Sequence, residues 1–414
     1  MFKKTPGTKD ILPDEIRIWQ KIEAVTRDLF SLYNYKEIRT PIIEEASLFD
    51  RSLGESAEIV QKQMFLIKKD EDVYALRPEG TAPIVRAYIE NNLDKTCGLI
   101  KLYYIGPMFR AERPQKGRLR QFHHLGCEVI GSREPNLDVE VISLADSLLK
   151  AYGIEGYEIK INTLGCEKDK KDFTESLRKA IKDKLPELCD DCNVRFKLNV
   201  LRILDCKNEK CIEVINKMDI RQEHLCLECK EHFDKIRQGL DSLNIKYSVN
   251  PLLVRGLDYY TRTVFEIAHN GLGAQNALGA GGRYDNLARE LGGPDSPAIG
   301  FAFGLERLLL VRKPDQQAVS QKLSYIISLG EEAKKQSLKL LDTLRQNKII
   351  ADTDYESKSL KGAMRRANDL NAQFVLIIGE DEISKGIVTL KDMASGQQQE
   401  ITQKELITYL KQKA

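Results

Sequence analysis

Val254-Arg255-Gly256-Leu257-Asp258-Tyr259-Tyr260-Thr261-Arg262-Thr263-Val264-Phe265-Glu266 is the stretch around which the chain reads most clearly. It sets an arginine, a permissive glycine, a carboxylate and two adjacent tyrosines into a segment that otherwise reads as a buried strand. Burying such groups is costly unless something polar is bound or paired there. Two readings are open: a chemical site, or a strand whose charged side chains point to water.

Immediately upstream, residues 163–248 are rich in Lys and Glu and hold Cys189, Cys192, Cys206, Cys211, Cys226 and Cys229, the texture of an inserted helical subdomain. Cys189-x2-Cys192 and Cys226-x2-Cys229 have the spacing of thiolate zinc knuckles, and four such ligands suffice for one closed tetrahedral site. The other reading is reduced cysteines in an insertion, because spacing does not show that the two pairs meet. No metal ligand is assigned, and His224 and His232 read equally well as surface residues.

Further upstream, Ile18, Ile22, Val25, Leu29 and Leu32 give a helix over 14–33 with one buried face, capped by Asp10 or Asp14. Ile38–Glu44 is extended, and Pro41 places it at an edge or an interface. Strands over 63–67 and 73–76 form a hairpin. The rigid corner Arg77-Pro78-Glu79-Gly80-Thr81-Ala82-Pro83 then enters a helix over 84–91 with Thr81 as its cap. Strands over 102–109 and 122–130 flank the linker Arg110–Gln121, in which five of twelve residues are Arg or Lys. Such a loop reaches a polyphosphate or is simply solvated. A helix over 137–152 and a strand over 157–162 follow.

Downstream, Gly279-Ala280-Gly281-Gly282-Arg283-Tyr284 is a glycine cluster that lets backbone pass close to a ligand or another segment. Ala298–Leu310 reads as a strand turning into a helix. Its small residues alternate with phenylalanines, leaving one side flat, and Arg307 needs a partner in an otherwise apolar helix. After a polar linker at 313–317, strands over 323–329, 349–352, 374–379 and 387–390 alternate with helices over 331–346, 357–370 and 403–413, a separate α/β domain. Lys358, Lys361, Arg365 and Arg366 form a basic stripe on one of those helices.

At 414 residues the chain is long enough for two or three domains, and 42% apolar with 30% charged residues is a soluble globular composition. A net charge of +2 means that a nucleic-acid partner has to be held by local basic patches. The amino terminus lacks the apolar run of a secretory signal and no segment has transmembrane character, so a cytoplasmic protein with no membrane partner is expected. Nine cysteines, an odd number, fit a reducing compartment.

On these residues the chain resembles the bacterial-type histidyl-tRNA synthetases, a class II aminoacyl-tRNA synthetase family. The segment around Pro41, Phe109-Arg110 with its loop to Glu128, and Gly304-Leu305-Glu306-Arg307 match the class motifs. Arg255–Tyr260 and Gly281-Gly282-Arg283-Tyr284 match the stretches particular to the histidine enzymes. The resemblance implies an α+β catalytic domain, with an antiparallel sheet flanked by helices, in two parts (1–162 and 249–318). It also implies a helical insertion (163–248) and a C-terminal α/β anticodon-binding domain (319–414).

The resemblance further implies a homodimer joined near Pro41, acting on tRNA(His), L-histidine and ATP. Mg2+ would accompany ATP as substrate, with no tightly bound cofactor. Arg110, Arg118 and Arg307 would bind ATP, and Arg255 would act with Arg110 and Arg307 as catalytic cations. Glu128 and Tyr260 would hold the imidazole, Tyr259 and Tyr284 would line its pocket, and Glu79 and Thr81 would hold the α-amino group. His124 stands where the family commonly has glutamine. A catalytically silent paralogue that regulates ATP phosphoribosyltransferase would share the catalytic fold but lack the C-terminal domain.

Overall fold

The computed structural model describes residues 2–54, 57–96, 98–218, 224–273, 276–313, 322–356 and 359–413. The chain divides into two compact units, Met1–Lys313 and Pro314–Ala414.

The first unit opens with α1 (Pro13–Leu32), β1 (Lys36–Glu37), β2 (Ile43–Glu45) and α2 (Ala46–Leu53). It continues through β3 (Phe65–Lys69), β4 (Asp72–Leu76), α3 (Thr81–Glu90), β5 (Ile100–Phe109), β6 (Gln121–Ile130), α4 (Pro135–Ala151) and β7 (Tyr157–Thr163). Four helices then interrupt the sheet: α5 (Glu167–Lys182), α6 (Asp190–Leu198), α7 (Glu209–Asn216) and α8 (Leu227–Ser242). The unit closes with β8 (Ser248–Val249), β9 (Thr261–His269), β10 (Ala277–Arg283), α9 (Leu287–Glu290), β11 (Ala298–Gly304) and α10 (Leu305–Val311).

Proline sets the start of α1. Pro13 needs no partner for a missing N–H in the first turn, Leu12 holds the cap position, and neither Asp10 nor Asp14 caps the helix as expected. The buried face is also rotated: Trp19, Ile22, Thr26 and Phe30 are buried, whereas Ile18 is 38% and Leu32 80% exposed. The larger rings of Trp19 and Phe30 bury more apolar area, and Thr26 satisfies its hydroxyl against the Ile22 carbonyl and the Tyr152 hydroxyl, each at 2.6 Å.

The eight-stranded sheet runs β1-β5-β6-β11-β10-β9-β7-β8. It is antiparallel in its interior, but the outermost pairs β1–β5 and β7–β8 are parallel, so the sheet is mixed at its margins. The glycine cluster passes close to another segment as the strand β10, and a Cβ on Gly281 would stand 2.3 Å from the Gly300 carbonyl oxygen. The segment 254–260 departs from the strand reading too, since β9 begins only at Thr261. Lys170 of α5 donates to the carbonyls of Asp258 (2.6 Å) and Tyr260 (3.0 Å), and Asn199 donates to the Asp258 carboxylate (2.7 Å). Side chains of the insertion thus take up polar groups that a sheet ladder would otherwise pair.

The second unit, by itself, is an α/β layer. Its elements are β12 (Ser324–Ser328), α11 (Glu331–Gln346), β13 (Ala351–Thr353), α12 (Leu360–Asp369), β14 (Phe374–Ile378), α13 (Glu380–Lys385), β15 (Ile387–Asp392), β16 (Gln398–Thr402) and α14 (Gln403–Lys413). The sheet order is β13-β12-β14-β15-β16, parallel through the first three strands and antiparallel after them. Leu340, Leu344, Leu406 and Leu410 cover one face, while Ala363 and Ala367 of α12 cover the other beside Tyr325 and Val375. Lys361, Arg365 and Arg366 lie on the exposed side of α12. Lys358 and residues 314–317 of the linker lie outside the described residues. Among the described residues no helix is long and apolar enough to cross a membrane.

Candidate active site

Period-two alternation builds the floor of one cavity. On β6, Leu125, Cys127 and Val129 enter the core, which turns His124, Gly126 and Glu128 to the other face. Across the ladder, β11 opposes these three with Gly304, Ala302 and Gly300, while Ile299, Phe301 and Phe303 join the core. The small residues leave depth above the sheet. A Cβ on Gly300 would lie 1.9 Å from Glu128 Oε2, so glycine is what admits that carboxyl group.

At one end of the cavity, Glu128 accepts hydrogen bonds from the Thr81 hydroxyl (2.8 Å) and from the Tyr284 hydroxyl. Burial raises it to about 8 in spite of these two donors. Glu79 accepts from the amides of Thr81 (2.7 Å) and Ala82 (2.9 Å). Glu79, and not Thr81, therefore satisfies the first amides of α3, and the Thr81 hydroxyl is released for Glu128. Tyr259 packs against Tyr260 at 4.7 Å and Tyr284 at 5.5 Å between ring centroids, forming an aromatic wall. It is Tyr284, the residue that follows β10, that bonds directly to Glu128. Burial, and then the positive charges of Arg110 and Arg77, lower His124 to about 3, so its imidazole is neutral. Its buried Nδ1 has no partner among the described residues.

Four guanidinium groups line the remainder. Arg110 donates from Nε to the Pro78 carbonyl (2.9 Å), stacks over Phe122 at 5.3 Å and stands 3.9 Å from Glu112. Arg118 pairs with Glu112 at 3.1 Å. Arg307 donates to the carbonyls of Gly117 (2.9 Å) and Ala277 (2.6 Å), the partners its apolar helix demanded. Arg255 donates from Nη1 to Glu266 at 2.6 Å, while its buried Nε has no partner among the described residues. Burial lowers the basicity of Arg110 and Arg307, and Arg118 lowers both further. Fixed cations that repel one another make a receptor for a polyanion.

All eleven side chains singled out from the sequence line this one cavity of about 290 Å³. Two carboxylates that hold its arginines, Glu112 and Glu266, were not among them. The signal for Glu266 was present, a charge in the apolar run Val264-Phe265-Glu266-Ile267. Asp205 and Lys207 reach the cavity from the insertion and carry no local sequence signal.

The cysteine pairs separate. Cys189 and Cys192 gather with Cys206 and Cys211, whereas Cys226 and Cys229 gather with Cys166 and Asp169, so the two pairs do not share one four-ligand site. His224 is half-buried and stacks on Phe173 at 4.4 Å, and His232 is buried 4.0 Å from Asp138.

Comparison with known proteins agrees over the whole chain. Residues 7–308 match the family model described as histidyl-tRNA synthetase, and residues 324–413 match an anticodon binding domain. The histidine–tRNA ligase of Natranaerobius thermophilus is 44% identical over 418 residues, covering 100% of this chain and 99% of that protein. The Thermosipho melanesiensis ligase is 45% identical over 405 residues, covering 97% and 96%. The apo histidyl-tRNA synthetase of S. aureus superposes with a TM-score of 0.83 at 36% identity, covering 99% of this chain and 100% of that one. With a family model matching residues 7–308 and relatives 44–45% identical along nearly the whole length, the chain belongs to the histidyl-tRNA synthetase family.

Proposed function

We propose that the cavity activates histidine with ATP and that Arg255, Arg110 and Arg307 are its catalytic cations. The overall reaction is that of a histidine–tRNA ligase, the activity of the relatives that match the full chain. The histidine carboxylate attacks the α-phosphorus of ATP and diphosphate leaves. The terminal ribose hydroxyl of tRNA(His) then attacks the carbonyl of the adenylate and AMP leaves. In the first step two anions meet, and charge builds at phosphorus. Arg255 stands between carboxylate and α-phosphate, Arg110 takes the α-phosphate, and Arg118 and Arg307 take the outer phosphates. Magnesium enters with ATP as part of the substrate.

Histidine lies with its ring at Glu128 and Tyr260, between Tyr259 and Tyr284, and with its amino group toward Glu79, Thr81 and His124. A pocket built to hydrogen-bond both ring nitrogens leaves buried groups unpaired around any other amino acid. The observation that carries this reading is the convergence of four arginines and the Glu128–Thr81–Tyr284 network on one glycine-floored cavity. The residue divisions at 162/163, 248/249 and 318/319 separate catalytic, insertion and anticodon-reading functions in the same proposal, and a cytoplasmic location goes with it.

Variants of Arg255 test the assignment. Arg255→Ala should lower the single-turnover rate of adenylate formation by about 10²–10³, the size of a lost charge-stabilising donor. Arg255→Lys should recover little of it, because the ammonium lacks the planar fork. Near-normal rates in a folded Arg255→Ala protein would remove the role.

A further inference from the structure

Cys189, Cys192, Cys206 and Cys211 come from three turns of the insertion. Cys189 and Cys192 flank the start of α6, Cys206 ends the short helical turn Val200–Asp205, and Cys211 lies in the first turn of α7. Their sulfurs all lie within 4.8 Å of one another, and the Cys189 and Cys206 sulfurs are 3.9 Å apart. Four thiolates about 2.3 Å from a tetrahedral zinc ion stand about 3.8 Å from each other. A disulfide, at about 2.05 Å between sulfurs, is a different arrangement, and among the described residues every cysteine is a free thiol.

Two backbone amides also point at these sulfurs. Cys189 N–H donates to Cys211 Sγ at 3.2 Å, and Asn208 N–H to Cys206 Sγ at 3.5 Å. Such donors stabilise thiolate charge, which simple packing of cysteines as small apolar groups does not call for. Three of the four side chains are buried, and Cys189 is partly exposed.

We infer that Cys189, Cys192, Cys206 and Cys211 form a structural zinc site in the insertion. Four thiolates close the coordination shell and leave no position for a substrate, so the ion's work is to hold the insertion. The location gives that work a consequence. Cys206 sits between Asp205 and Lys207, which both line the active-site cavity, and Asn199 in the same segment bonds to Asp258 at 2.7 Å. The ion fixes the part of the insertion that borders the site.

In the second cluster the fourth group is a carboxylate, and it is already engaged. Asp169 accepts from the amides of Cys226 (3.2 Å) and Cys166 (3.4 Å), joining the starts of α8 and α5. It is a pair of joined helix caps, and it serves as the internal control.

Elemental analysis of the full chain, purified without chelator, should find about one zinc per chain. Cys206→Ser and Cys211→Ser should reduce it to near zero, while Cys166→Ser retains it. Should the serine variants fold poorly, two measurements on the unmutated chain replace them. Co2+ exchanged into the protein should give the intense visible absorption of a tetrahedral thiolate complex, and chelation should raise amide hydrogen exchange over residues 189–211 selectively. Zinc that survives Cys206→Ser and Cys211→Ser but not Cys166→Ser overturns the assignment. So does a chain that neither carries zinc nor gives a thiolate spectrum with cobalt.

Discussion

The Glu128 carboxyl is mostly protonated at neutral pH, because burial raises it from 4.5 to about 8. Between those values the folded chain keeps a proton that the unfolded chain has released. The stabilisation from this group is therefore complete below pH 4.5 and is lost as pH rises through 8. Glu128→Gln removes that dependence. Relative to the Gln variant, the unmutated chain should lose up to about 1.4 kcal/mol of stability per pH unit across this window, measured by chemical denaturation. A parallel pH profile for the two proteins would refute the buried, protonated carboxyl. Arg255, the paired tyrosines, the arginine-rich loop and Arg307 were legible because such groups are costly in apolar segments, whereas Glu128, His124 and Tyr284 stood out only through the family resemblance. Their pairing was not legible, because a hydrogen bond such as Thr81 to Glu128 joins residues 47 apart and depends on which neighbour caps α3.

Strands show the same division between what is local and what is not. The alternation Ile299-Gly300-Phe301-Ala302-Phe303-Gly304 already separates a flat face from a core face, and β11 uses it that way. The buried face of α1 is rotated from the one that apolar spacing predicts, because spacing does not weigh Trp19 and Phe30 against smaller residues, nor foresee the Thr26–Tyr152 bond. Nor does spacing reveal that α5 and the Asn199 turn hold Asp258 and Tyr260 out of the sheet. The joint between β10 and α4 rests on a pair no pattern announces. Arg283, fully buried, donates from Nε to both oxygens of Asp138 (3.0 and 2.8 Å) and from Nη1 to the Ser132 carbonyl and Asp285. Arg283→Ala strands the Asp138 charge and should cost about 3–5 kcal/mol in a denaturant titration. A loss below about 1 kcal/mol would show that water reaches the pair.

For the whole molecule, the sheet β2-β4-β3 is conspicuous on a monomer. Ile43 is 51% and Leu66 50% exposed, and Ile42 (41%), Ile67 (40%) and Val73 (40%) are partly exposed as well. The surface flanks Pro41, where the family resemblance puts the dimer contact, and a second copy of the chain would cover it. A Leu66→Asp, Ile67→Asp double variant should therefore sediment as a monomer while the unmutated chain sediments as a dimer. Equal masses for the two would exclude this face. Two units of different architecture, one bearing the cavity and the other matching an anticodon-binding domain, suit a ligase that joins a small substrate to a tRNA. Activation of histidine in the cavity is tested by amino-acid-dependent exchange of labelled diphosphate into ATP by the purified full chain. Exchange that requires histidine, fails with the other amino acids and is abolished by Arg255→Ala is the predicted result. No exchange with histidine, or equal exchange with another amino acid, would contradict it.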